Sequence, residues 1–152
     1  MNSEQKNAIV ISIRHEWCDL IKDGRKTLEL RKSRPKQEPP FRCYIYESGE
    51  YVPAYMVESK YAGCYQPGSV IGEFTCDYIL RHCEKENIDI AESESCMKRE
   101  KILKYAKRGE VYGWHVRDLK IYQKPKRLKE ATGLKHGPQS WCYAAERKPD
   151  NG

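Results

Sequence analysis

The sequence predicts a mixed α+β fold: a small barrel or strongly bent sheet of five or six strands with helices at its periphery. Three observations carry that expectation. Apolar residues alternate with period two in several separate segments, two other segments switch to helical spacing, and strands and helices do not alternate in the regular way a parallel βαβ sheet requires. At 152 residues the chain is one domain, with a core expected over about 8–145 and flexible termini.

Ile9, Ile11 and Ile13 alternate with Val10, Ser12 and Arg14, which predicts a first strand over 9–13 with one buried face. Trp17, Leu20 and Ile21 then recur at helical spacing among charged neighbours, and Gly24 follows as a stop, so a short amphipathic helix is expected over about 15–23. Leu28 and Leu30 face one way and Thr27, Glu29 and Arg31 the other, giving a second strand over 27–32. Pro35, Pro39 and Pro40 make 33–40 a loop, and a third strand occupies 43–46. Residues 48–68 show no period and read as an irregular excursion. A long alternating stretch fills 69–80, where Gly72 marks a bulge or a close backbone approach. The acidic segment 84–94 reads as a solvated connection, and 95–108 as a basic surface helix ended by Gly109. Alternation resumes over 112–122 with a slip that predicts a bulge or turn near Arg117 and Asp118, and 141–145 is the last strand.

Leu, Ile, Val and Phe number 27, about 18% of the chain, under the roughly 20% line that flags disorder. Eleven Tyr and three Trp offset the shortage, so the core is expected to be rich in Tyr. No apolar run approaches the roughly 18–20 residues of a membrane-spanning helix, and the polar first residues carry no signal-peptide pattern, so a cytoplasmic protein without a membrane partner is expected. Seven Cys at irregular spacing with no C-x-x-C suit reduced thiols, and no metal or cofactor is expected. A site assembled from His82, Cys83, His115 and Cys142 is the remote alternative.

The net charge of +6 is unevenly spread. Residues 98–135 carry thirteen Lys and Arg against four Asp and Glu, and residues 14–36 carry eight against four. Brought together, the two segments would make a positive face for phosphates; the competing reading is that Lys-rich elements simply solvate a small domain.

Three segments are recognisable: G-x-K-T-x-E-x-R over 24–31, GSVIGEF over 68–74 and YGWHVRDL over 112–119. Ser12, Ile13 and Trp17 precede the first, and Pro138, Gln139, Ser140 and Trp141 follow the last. Together they resemble the ASCH domain of the PUA-like superfamily, in particular its small prophage-type members, over roughly residues 8–145. The resemblance implies a PUA-like β-barrel of five or six strands with helices at its openings. It also implies a cleft beside the helix and the K-T-x-E-x-R strand, where RNA, a nucleotide or a modified base binds.

The residues give that cleft a chemistry of their own. Glu29 can accept from a base amino group or orient Arg31, whose planar fork suits a phosphate or a guanine edge. Lys26 can supply a mobile point charge, and Arg14 and Arg34 are further candidate binding cations. Trp141, after Gln139 and Ser140, is placed to stack a base while the amide reads its edge. The competing readings are an ion pair that merely closes the barrel mouth and a tryptophan that caps the core.

One branch of the family is described as removing acyl groups from acetylated cytidine with a lysine-activated threonine and a glutamate. Lys26 matches that lysine, but Glu29 stands where the threonine belongs and Thr27 is only one residue past the lysine, which argues against the same mechanism. Under a modified scheme Glu29 would be the general base, Lys26 would hold the oxyanion, and Glu73 would face the same cleft from another strand. Binding of RNA or a modified nucleobase is therefore the expected function. The alternatives are a nucleoside-directed amidohydrolase or ribonuclease using Lys26, Glu29 and Glu73, and a phage or host protein-interaction module.

Overall fold

The computed structural model describes residues 6–49 and 68–145. Six strands, β1 (Ile9–Arg14), β2 (Leu28–Arg31), β3 (Phe41–Ser48), β4 (Ser69–Leu80), β5 (Tyr112–Arg127) and β6 (Trp141–Tyr143), form one sheet in the order β2-β5-β4-β3-β1-β6. The sheet curls into a half-barrel. Only β1 and β3 run parallel; every other pair is antiparallel. Helix α1 (His15–Lys22) links β1 to β2, which lies near the opposite end of the strand order. Helices α2 (Ile88–Ser95) and α3 (Arg99–Ala106) lie between β4 and β5, and α4 (Leu128–Thr132) follows β5.

The single buried face expected of β1 is corrected to two. Ile9, Ile11 and Ile13 join Cys43, Ile45, Cys76, Trp114 and the α1 residues Cys18 and Ile21 in the main core on the inner face of the sheet. Val10 points the other way, into a smaller cluster with Tyr44, Val70, Leu128 and Ala131 under α4. Leu28 and Leu30 reach a third cluster with Ala91, Ile102 and Ala106 of α2 and α3. The expected Tyr-rich core is corrected: seven of the eleven Ile and four Cys are buried, whereas Tyr44 is the one tyrosine among the described residues in that class. Tyr46, Tyr105, Tyr112 and Tyr122 sit at the edges of the clusters, where a phenol can keep a polar partner, and Tyr78 and Tyr143 are exposed.

The strand over 69–80 matches its expectation at both ends, and both readings of Gly72 hold. The register with β3 and β5 shifts beside it, and an added Cβ would stand 2.4 Å from the Lys120 carbonyl oxygen. The slip in β5 is a one-residue bulge at Asp118, whose φ of +51° lies in the left-handed region. Beyond it β5 runs on to Arg127, further than expected. The acidic stretch 84–94 is corrected too. Most of it is α2, a helix that buries only Ala91 and Ser95 and that the density of carboxylates concealed, and its Asp89 and Glu92 accept from Arg99 at the start of α3. Helix α4 was not expected, being a single turn. The excursion expected over 48–68 falls almost wholly outside the described residues, as do most of the terminal residues.

A clamp ties the end of β4 to the start of β5. Arg81 donates two 3.0 Å hydrogen bonds to Glu110, which also accepts from the His82 backbone N–H. The Arg81 hydrogen bonds are the main cause that lowers the Glu110 carboxyl from 4.5 to about 2. A folded-state value below the unfolded one means stability that is complete above pH 4.5 and lost as the pH falls toward 2. Urea unfolding across that window is expected to show a loss of stability that Glu110→Gln flattens. Gly72→Ala should cost about 1–3 kcal/mol in the same assay at neutral pH, because backbone rather than a mobile side chain fills the space.

Candidate functional site

The site begins where α1 ends. Gly24, with φ of +79°, turns the chain, and the backbone N–H groups of Arg25 and Lys26 both donate to the Leu20 carbonyl at 3.1 Å. That turn sends Lys26 inward, where only 1% of it is exposed. Its ammonium donates to the Ser95 carbonyl at 2.8 Å, lies 3.5 Å from Glu29 Oε2 and sits 4.7 Å from the centre of the Trp17 ring. Ser95 is the last residue of α2, so the cation meets the negative end of a helix dipole as well as a carboxylate and an aromatic face. The Thr27 N–H donates to Glu94 O at 2.8 Å and docks the start of β2 on the same helix end.

Glu29 is 6% exposed and projects beside Trp114, its register partner on β5. Its Oε1 is 3.4 Å from Arg31 NH2, while its buried Oε2 has no hydrogen-bond donor among the described residues. Arg31 in turn donates to the Ser12 carbonyl at 2.6 Å and to Ser140 Oγ at 3.1 Å. Since β2 is one edge of the sheet and β6 the other, this guanidinium spans the seam of the half-barrel. Ser33, just past β2, strengthens the seam by accepting from the Trp141 indole N–H at 2.9 Å, while its carbonyl accepts from Trp114, on its own side of the seam, at 3.3 Å.

The structure thus joins Lys26, Glu29, Arg31 and Ser140 in one hydrogen-bonded and ion-paired chain, with Trp141 adjoining it. Lys26 is fixed rather than mobile, because it has three partners and no solvent. Trp141 is half-buried, 5.7 Å from the Trp114 ring and 5.8 Å from Tyr143, and Gln139 beside it is exposed. Arg14 is exposed and pairs with Glu16 instead of reaching the chain. Arg34 holds its own loop, donating to the carbonyls of Pro35 and Gln37. Glu73 does not join Lys26 and Glu29: it shares the outer face with Tyr44, its register partner, and accepts from Tyr122 at 2.6 Å. The four remote metal candidates are dispersed; His82 faces Glu110, His115 bonds Asp77 at 2.6 Å, and Cys83 lies in the α2–α3 cluster away from Cys142.

Sequence reasoning missed Ser95 and Ser33, which act through backbone carbonyls or a hydroxyl that carry no pattern, and read Ser12 only as part of the segment before β2, not as a partner of Arg31. It also missed Glu47, buried at 1% despite its charge. Burial, with the nearby Glu47 and Glu29 carboxylates, pushes the Cys18 thiol well up, so this cysteine stays protonated and unreactive at neutral pH.

The fold and site define a small α+β half-barrel whose mouth is organised by a buried lysine, a glutamate and an arginine on one strand. The ASCH domain family profile matches residues 11–147, and the chain belongs to that family, which is generally thought to bind RNA. Its architecture is consistent with the PUA-like superfamily. Among solved structures it is similar to the ASCH protein of Zymomonas mobilis, at 22% identity and a TM-score of 0.69 over 92% of this chain and 89% of that one. A tyrosine-to-phenylalanine variant of that protein gives 21% identity and a TM-score of 0.70, covering 93% and 92% of the two chains. At that identity the likeness speaks for the fold. Comparison with curated proteins finds no significant match.

Removing one partner of a buried ion pair leaves the other uncompensated. Lys26→Met is expected to destabilise the domain by about 3–5 kcal/mol in chemical denaturation, and the double variant Lys26→Met with Glu29→Leu to recover much of that loss.

Proposed function

We propose that this chain binds RNA, or a modified nucleobase within it, at the mouth of the half-barrel beside β2. The observation that carries the reading is Glu29 Oε2, a buried carboxylate oxygen with no hydrogen-bond donor among the described residues, held between the fixed cations Lys26 and Arg31. That oxygen has the Lys26 ammonium 3.5 Å away but no hydrogen bond, and the amino or imino N–H of a base, admitted when the mouth opens, supplies one. Exposed Arg14, Arg25, Lys32 and Lys36, on or beside the elements that build the mouth, supply charge for the flanking phosphates.

Binding is favoured over the amidohydrolase or ribonuclease reading because the three candidate catalytic groups are divided between two faces of the sheet. Lys26 and Glu29 share the mouth, but the Glu73 carboxylate is engaged by Tyr122 on the other side. No feature of the site favours a protein-interaction module in its place.

Fluorescence anisotropy with a labelled single-stranded 12-nucleotide RNA is expected to show binding that weakens with salt as phosphate contacts release counterions. Glu29→Gln, which keeps the shape of the side chain, and Arg31→Ala should each weaken binding about tenfold or more in chains whose circular dichroism is unchanged. Affinity indifferent to salt and to both variants would reject the reading.

A further inference from the structure

On the outer face of the sheet, away from the mouth, Arg42, Tyr44, Glu73, Tyr122, Lys126 and Glu130 line a cleft of about 280 Å³. Glu73 Oε2 accepts from the Tyr122 hydroxyl, while Oε1 stands 3.9 Å from Arg42 Nε, beyond hydrogen-bond reach. Arg42 is 60% exposed. The Lys126 ammonium lies 4.4 Å from the centre of the Tyr122 ring. The cleft therefore offers two cations for a phosphate, a carboxylate oxygen for a base N–H, and phenol rings for a base or sugar. Its volume is slightly below the roughly 300 Å³ where drug-sized pockets begin, a size for one nucleotide unit and no more.

The path to this cleft is also built. β2 covers only the first four residues of β5, and beyond Val116 that edge of β5 has no strand partner among the described residues. Arg117, Lys120, Lys124, Lys126 and Arg127 are exposed along this stretch, with Asp118 the single acidic residue in it. A lysine-rich edge can serve simply to prevent edge-to-edge pairing, but that purpose does not require a polar cleft at its far end.

We propose that this outer cleft is a second RNA contact, holding one nucleotide of a strand that enters at the mouth and crosses the unpaired edge of β5. The proposal rests on the reading that the chain binds RNA, and adds a site on the face opposite the one where that reading places the first contact. The phosphate lies between Arg42 and Lys126, and Glu73 Oε1 accepts from the base. RNA too short to leave the mouth does not touch the cleft.

The test compares a 12-nucleotide with a 3-nucleotide single-stranded RNA on the full chain and on Arg42→Ala combined with Lys126→Ala, both exposed positions whose loss leaves the core intact. The double variant should bind the 12-mer about tenfold or more weakly. Its log–log salt slope should be shallower by roughly 0.7, the loss expected for one single-strand phosphate contact, with affinity for the 3-mer unchanged. A 12-mer carrying 4-thiouridine should cross-link to Tyr44 or Tyr122. Unchanged 12-mer affinity and slope in the double variant, while Arg31→Ala still lowers both, would overturn the outer site and leave the mouth standing. Loss in the double variant with no effect of Arg31→Ala would support the outer site against the mouth, and no binding of either RNA by the unaltered chain would overturn both.

Discussion

Everything at the mouth depends on keeping a lysine ammonium out of water. An isolated charge in an apolar interior is expensive, and Lys26 is tolerated because three different partners meet it: a helix-terminal carbonyl, a carboxylate and an indole face. Those partners come from α2, β2 and α1, so satisfying one charge fixes how two helices and a strand sit together. Glu29 is then drawn inward by Lys26, and Arg31 is oriented by Glu29. The remaining elements can be seen as what holds these three residues in order.

The sheet separates two chemistries. Its inner face carries the lysine, the glutamate and the arginine in a closed, mostly dry arrangement, and its outer face carries a wetter cleft of tyrosines and mixed charges under α4. The positive charge is divided in the same way. The basic segment 98–135 does not make one face: α3 packs with α2 beside β2, where Arg99 is neutralised by Asp89, whereas the cations of distal β5 stay exposed next to α4. Charge that looks continuous along a chain is cut up when a strand leaves the helix that preceded it.

Strand alternation made much of this readable from the residues. β1 and β2 follow from isoleucine or leucine at every second position, β4 from a longer alternation of apolar and polar residues, and α1 from Trp17, Leu20 and Ile21 with Gly24 behind them. The bulge at Asp118 shows as a break in the same alternation. α2 was hidden because its apolar residues are few and five carboxylates surround them in 84–94, a composition that resembles a solvated link. That single omission removed the partner of Lys26, and a buried, fixed ammonium was read as a mobile one. Glu73 was assigned to the cleft because alternation tells which residues of one strand share a face, but not which faces of different strands coincide. Arg14 and Arg34 failed to gather for a simpler reason: each found a local partner within four residues.

The seam has a consequence of its own. A barrel closed by backbone hydrogen bonds must satisfy a fixed relation between strand number, tilt and stagger. This sheet meets its opposite edge through a guanidinium and one indole N–H, so its aperture is set by the reach of side chains rather than by the pitch of a ladder. Such a clasp can widen by rotation about side-chain bonds, with every strand pairing left in place. Access to the interior then turns on a few side-chain rotations and the hydrogen bonds they release, instead of the breathing of a sheet.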